Sequence, residues 1–325
     1  MTQDRWETAP HATPAIEVRG LRKTYPGGVE AVKGLDFEVA TGEVFGLLGP
    51  NGAGKSTTIG MLTTTISPTA GTARLAGFDV ATSPLEARRL SSVLFQDPVV
   101  DRPLTGRRNL EIHARLWGVD PAAARTRLEP VVDTLGLSGL VDRPVGSYSG
   151  GERRRLEIAR ALVSGPRVLF LDEPTVGLDP RIRHELLDVI GRLRDRDEMS
   201  ILLTSHYLDE AERLCDRLAI MHAGRIVALD TPGALLASLG REIVELQVTE
   251  PVQPALATLR AERIAGDDAF AVGGTITVPL HDRIAGEAIS AIHGLGIAAT
   301  SISTRQPTLD DVYLRLTGDR LAEPA

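Results

Sequence analysis

From residue 16 the chain alternates apolar and polar side chains at period two, in "IEVRGLRKTY" and "AVKGLDFEVATGE", with Gly turns between them. This pattern predicts an antiparallel β start. It gives way to "VFGLLG", a short and nearly continuous apolar run of the kind buried on both faces of a parallel sheet, and then to the helix-like "KSTTIGMLTTTI". Helical spacing recurs over residues 84–90 and 106–165, broken at Gly and Pro, and predicts a helical insert over about 97–165. Beyond it, "RVLFLDEP", "RIRHELLDVIGRLRD", "SILLTSH", "YLDEAERLCD", "RLAIMHAG" and "RIVALD" alternate strand and helix. The reading is an α/β doubly wound core.

After "TPGALLASLG" the texture changes. "EIVELQVTE" reads as strand, "PALATLRAER" as helix, "DAFAV" and "TITVPL" as a hairpin across Gly273 and Gly274, "HDRIAGEAISAIHGLG" as helix and "IAATSIST" as strand. The order βαββαβ predicts a small ferredoxin-like α+β domain over 236–325, following a core domain at 16–235. Residues 308–317 add a short amphipathic helix. Residues 1–15, "MTQDRWETAPHATPA", are polar and lack an apolar h-region, so they are expected to be a disordered leader and not a signal peptide.

Composition narrows the classes. The 325 residues carry a formal net charge of -7, which argues against a sequence-independent nucleic-acid binder. Nothing approaches the roughly 18 consecutive apolar residues of a membrane helix. A single cysteine, Cys215, excludes an internal disulfide and reads as a small packing residue on its helix face.

Gly49 to Ser56, "GPNGAGKS", fits G-x-x-x-x-G-K-[ST] between a buried strand and a helix. Glycines let backbone N–H groups approach phosphates, and the helix that follows presents its positive end. Gly49, Pro50, Asn51, Gly52, Ala53, Gly54, Lys55, Ser56 and Thr57 are therefore the candidate nucleotide cradle. Lys55 is expected on the β and γ phosphates and the Ser56 hydroxyl on Mg²⁺. At the end of "VLFLDE", Asp172 suits the Mg²⁺ shell and Glu173 a general base for the attacking water. The blander reading, an acidic strand end capping the next helix, leaves two adjacent carboxylates beside a phosphate site without a cation. The Arg run 153–155 reads as a solvated or interface face.

"YSGGERRRLEIARAL", from Tyr148, precedes "VLFLDEP". The three motifs in this order resemble the ATP-binding subunit of ABC transporters, whose signature is LSGGQ; here Tyr148 stands for the Leu and Glu152 for the Gln. The resemblance covers about residues 16–230. It implies a P-loop NTPase cassette with an antiparallel β subdomain, a parallel α/β core and a helical insert. It also implies that Tyr25 stacks on adenine and that Gln96 touches the Mg²⁺ and γ-phosphate shell. The resemblance further implies that Ser149, Gly150 and Gly151 reach the γ-phosphate, that Asp179 lies across a dimer interface, and that His206 contacts the γ-phosphate. In the family the signature of one subunit closes the P-loop of another, so the resemblance implies a homodimer with two ATP sites.

"TRQPTLDDVYLRLTG", residues 304–318, resembles the C-terminal segment of the daunorubicin/doxorubicin-resistance branch. That branch implies a drug exporter acting with a separate ABC-2 type permease at the cytoplasmic face of the membrane. Two other readings are an importer motor and a non-transport ABC ATPase acting on nucleic acid or ribosomes. The tail motif speaks against the first; the acidic charge and the lack of a coiled-coil insertion, zinc cysteines or a second cassette speak against the second.

Overall fold

The computed structural model describes residues 13–96, 99–194, 199–249 and 251–318. Residues 1–12 of the expected leader lie outside the described residues. Its last part is tied down: Ala15 is buried and its carbonyl accepts from the Ala76 N–H at 2.8 Å.

The chain begins with β1 (Ile16–Thr24), β2 (Glu30–Val39), β3 (Val44–Leu48), α1 (Lys55–Leu62), β4 (Ala70–Leu75) and β5 (Phe78–Asp79). Then come α2 (Pro84–Leu90), β6 (Ser91–Leu94), α3 (Gly106–Leu116), α4 (Pro121–Thr134), α5 (Gly150–Val163) and β7 (Val168–Asp172). They are followed by α6 (Pro180–Arg194), β8 (Ser200–Ser205), α7 (Leu208–Leu214), β9 (Arg217–His222), β10 (Arg225–Asp230) and α8 (Pro232–Ala237). The chain ends with β11 (Glu242–Val248), α9 (Val252–Ala261), β12 (Phe270–Val272), β13 (Thr275–Leu280), α10 (Ala285–Gly294), β14 (Ala299–Arg305) and α11 (Leu309–Thr317). Among the described residues no helix is long and apolar enough to cross a membrane.

The described residues group into two compact units. The first holds those of Met1–Leu47, Gly52–Ser205 and Ala223–Arg225; the second holds those of Leu48–Asn51, His206–His222 and Ile226–Ala325.

In the first unit an antiparallel sheet of order β2-β1-β4-β5 realises the alternation seen at the start of the chain. Ile16, Val18, Leu21, Leu35, Phe37 and Val39 turn inward, and Phe37 stacks on Phe45 of β3 with ring centroids 5.3 Å apart. The neighbouring sheet carries β3, β8, β7 and β6 in that order. β7 pairs in parallel with β6 and β8, and every residue of β7 and β8 is buried, as their unbroken apolar runs predict. β4, β5 and β6 were not expected. β6 is short and opens with Ser91 and Ser92, polar residues that are nonetheless buried; the Ser91 hydroxyl is satisfied by the Ala87 carbonyl at 3.0 Å. α1 stops at Leu62, short of the expected Ile66, because three successive threonines are poor helix formers and Thr64 takes a left-handed φ of 61°.

In the second unit β11 to β14 follow the expected βαββαβ order. The sheet runs β12-β13-β11-β14 with antiparallel neighbours, the arrangement of a ferredoxin-like plait. Val244, Leu246, Ile276 and Val278 from the strands and Leu259 and Ile292 from the helices build its core. Cys215 is buried, but it ends α7 as the C-cap and does not sit on the helix face.

α11 packs on α7 and α8, and its residues explain the tail motif. Thr308 caps the helix in a capping box with Asp311. The buried Asp311 carboxylate accepts from Arg305 Nη1 and Nη2 at 2.6 and 2.7 Å and from the Thr308 N–H at 2.8 Å. Tyr313 is fully buried, its hydroxyl 2.9 Å from Nδ1 of His222. Burial alone would raise the Asp311 pKa, but the hydrogen bonds from Arg305 and Thr308 bring it below the usual carboxylate range.

A depressed folded pKa contributes stability above the unfolded value of about 4 that is lost as the pH falls. Asp311→Asn should therefore cost about 1 kcal/mol at pH 7, a figure kept low because Arg305 is partly exposed. The gap to the unsubstituted chain should narrow as thermal melts are taken below pH 4.

Candidate functional site

Gly52 and Gly54 have φ of 82° and 103°, values an L side chain rarely adopts. Gly54 is the N-cap of α1 and offers no side chain, and the first turn contains no acidic residue, so the positive end of the helix faces the loop.

Lys55 is buried, with its Nζ 3.3 Å from Oε1 of the buried Glu173. Next to it, Asp172 ends β7. Its Oδ1 accepts from the Ser56 hydroxyl at 3.3 Å and from the Thr204 hydroxyl at 2.6 Å. Thr204 is paired with Asp172 in the β7–β8 register, and its Oγ1 also accepts from the Glu173 N–H at 3.0 Å. Tyr25 is half-buried after β1 and places its hydroxyl 3.3 Å from Thr57 Oγ1, beside the first turn of α1. The first unit thus brings together Tyr25, Gly52, Ala53, Gly54, Lys55, Ser56, Thr57, Asp172 and Glu173. Gly49, Pro50, Asn51 and His206 belong to the second unit, where the His206 ring lies against Tyr207, centroids 4.1 Å apart.

Ser56 and Asp172 offer hard oxygen donors at one point. Among the described residues no group of three or more His, Cys, Asp or Glu could hold a metal ion. A hydroxyl and one carboxylate fit an ion that keeps most of its shell as water and substrate oxygens.

The signature turn begins α5. Ser149 is the N-cap: its hydroxyl accepts from the Glu152 N–H at 3.2 Å, and Glu152 Oε2 accepts from the Ser149 N–H at 2.7 Å. Glu152 at the place of the signature Gln is thus the return arm of a capping box, and the Ser149 N–H holds its carboxyl below the usual range. Gly151 is glycine for packing: a Cβ there would meet Ile182 Cγ2 of α6 at 2.3 Å. Tyr148 is buried and donates its hydroxyl to the Leu140 carbonyl at 2.5 Å, so the aromatic replacement for Leu finds a partner. Asp179 caps α6, accepting from the Ile182 N–H at 3.0 Å. Gln96 is exposed, just past β6.

The Arg run does not form one solvated face. Arg153 donates to the Tyr148 carbonyl at 2.6 Å, while Arg154 is buried beneath the end of β7. Sequence reasoning missed Arg154, Glu157 and Thr204. Helical spacing held the signal for the first two, since Gly151, Arg154, Glu157 and Ile158 recur at three and four residues and share one buried face.

The ABC transporter family profile matches residues 32–176. Over 327 residues the chain is 43% identical to the daunorubicin/doxorubicin resistance ATP-binding protein DrrA of Streptomyces peucetius, an alignment that covers 96% of each. The chain belongs to the ABC transporter family. It is also 40% identical over 314 residues to the Nod factor export ATP-binding protein I of Paraburkholderia xenovorans, covering 95% of this chain and 99% of that one. Among solved structures it is similar to an ATP-binding subunit of an ABC transporter at 31% identity and TM-score 0.61, covering 69% of this chain and 92% of that one. A cassette solved in its ADP conformation matches at 27% identity and TM-score 0.62. The chain is an ATP-binding, ATP-hydrolysing subunit of an ABC transporter.

Lys55→Ala should lower ATP affinity by about ten- to a hundredfold, as loss of a charged hydrogen-bonding partner implies. Calorimetric titration checks this; a change under about twofold would remove Lys55 from the phosphate contacts.

Proposed function

We propose that the chain powers efflux of a hydrophobic drug or natural product through a separate ABC-2 type permease, from the cytoplasmic face of the membrane. The cassette in this reading spans residues 16–235 and the accessory domain 236–325. The observation that carries the catalytic part is Lys55 at 3.3 Å from Glu173, with Asp172 and Ser56 alongside. A terminal phosphate held by Lys55 lies within reach of the carboxylate that polarises its attacking water.

Gly49 to Thr57 cradle the phosphates, and Tyr25 stacks on the adenine. Ser56, Asp172 and Gln96 would hold Mg²⁺, which neutralises charge on the terminal phosphates. Glu173 takes the proton of the attacking water, and His206 holds the γ-phosphate and orients that water. Ser149, Gly150 and Gly151 at the head of α5 close the P-loop of a second copy, with Asp179 at the interface. A homodimer then encloses two ATP molecules, and loss of the γ-phosphate releases it. The exporter reading is supported by relatives named for drug resistance and Nod factor export, whose likeness extends over nearly the whole chain.

Glu173→Gln should bind ATP and run as a dimer in size-exclusion chromatography, with hydrolysis reduced by about a hundredfold or more. Tagged Glu173→Gln, solubilised in detergent with ATP and Mg²⁺, should bring down a stoichiometric polytopic membrane protein. Recovery of a soluble partner, nucleic acid or ribosome in its place would end the transport reading, and normal turnover would end the role of Glu173 as base.

A further inference from the structure

Glu173 has a left-handed backbone, with φ of 45°. For a non-glycine residue this conformation is strained and persists where its surroundings fix it. Two side chains do so. Thr204 accepts from the N–H of Glu173 at 3.0 Å, and Arg154 Nη2 donates to its carbonyl at 3.3 Å.

The Arg154 guanidinium does more than this. Nε donates to the Pro174 carbonyl at 2.7 Å, Nη2 also reaches the Asp172 carbonyl at 3.4 Å, and Nη1 donates to the Phe95 carbonyl at 2.7 Å. β6 and β7 are paired in register as far as Leu94 and Leu171, so the guanidinium spans the ends of two adjacent strands. Phe95 is the residue before Gln96. One helical turn further along α5, Glu157 accepts from Arg154 Nη1 through Oε2 at 3.0 Å and from the Val99 N–H through Oε1 at 3.0 Å. Both side chains are buried. A guanidinium is suited to this place because its planar fork serves several acceptors at once, which an ammonium cannot do. The pair sits on the helix that Ser149 and Glu152 cap.

We infer that Arg154 and Glu157 are positioning residues for ATP hydrolysis: they fix the backbone of Glu173 and both flanks of the Gln96 turn to the helix that begins with the signature glycines. The pair touches no phosphate. It acts by holding the base where its carboxylate meets the water, and it makes any displacement of the head of α5 a displacement of that base and of the Gln96 turn. The inference rests on the assignment of Glu173 as base, and one readout is independent of that assignment.

The test uses the full chain with Arg154→Met, which keeps the apolar stem and removes the donors, and Arg154→Lys. Hydrogen exchange by mass spectrometry should show faster exchange in peptides spanning Phe95–Val99 and Leu171–Val176. Phosphate release should give a kcat lower by about tenfold or more, while calorimetric ATP affinity stays within about threefold, since misplacement of a catalytic group falls on the chemical step. Arg154→Lys should recover only part of the rate. Unchanged exchange in both peptides, or an unchanged kcat, overturns the inference, as does parallel loss of kcat, affinity and thermal stability, which marks simple unfolding. If Arg154→Met does not fold, the Lys variant decides by the same readouts. Normal turnover by Glu173→Gln would remove the base while leaving the exchange result to judge the clamp.

Discussion

The structure depends on charge buried at the carboxyl end of β7. Asp172, Glu173, Glu157, Lys55 and Arg154 are all largely withdrawn from water there. Taking each ion out of water costs several kcal/mol unless partners restore what the solvent gave. Here the fold supplies them: Ser56 and Thr204 to Asp172, Lys55 to Glu173, Val99 and Arg154 to Glu157. Burial pushes the Glu157 carboxyl up and the Arg154 guanidinium down, and each opposes that shift in the other, helped by the Val99 N–H and Arg160 at Glu157 and by Asp172 at Arg154. Among these five groups the carboxylates outnumber the cations. Such a set accepts phosphates more readily when an additional cation accompanies them, and a single hydroxyl and carboxylate suffice as protein donors for an ion that keeps water and phosphate oxygens in its shell.

The sheet makes this concentration of charge possible. Parallel pairing aligns the ends of β6, β7 and β8, so that backbone carbonyls, carboxylates and the Thr204 hydroxyl emerge at the same level. Strand ends leave carbonyls without ladder partners, and those at Phe95, Asp172, Glu173 and Pro174 are met by one guanidinium. The buried runs of β7 and β8 exclude water from below. The commitment of each of these polar groups to a named partner offsets the cost of burying them.

What could be read from the sequence follows from whether the signal is local. The P-loop was legible because its glycines, lysine and serine act as one contiguous turn, and the strand and helix flanking it are marked by apolar period. The C-terminal plait was legible because its strands alternate or run apolar and its hairpin carries Gly273 and Gly274. β4 to β6 were not, since two- to six-residue strands with serine, glycine and threonine carry almost no periodic signal. Arg154 was hidden by its neighbours: three adjacent arginines look like one charged surface, whereas a helix turns each by about 100° and sends only the middle one under β7. Thr204 was hidden differently, as one hydroxyl in an apolar strand whose partner, Asp172, lies more than thirty residues away.

The tail shows the reverse case, a motif whose residue types are explained within its own unit. In "PTLDDVY" the Thr and the second Asp form the capping box, the Asp also takes both ends of the Arg305 fork, and Arg305 reaches Glu245 on β11 at 2.6 Å. The Tyr carries its hydroxyl to His222 at the end of β9. The last helix is thereby joined to the plait through Arg305 and to β9 through Tyr313, with α7 and α8 beneath it. A helix of nine residues has marginal stability alone, and these polar ties add a fixed register to its apolar contacts. Leu309, Val312 and Tyr313 are buried while Leu316 is exposed, so the apolar stripe covers only the first turns and the ties fix how it is seated.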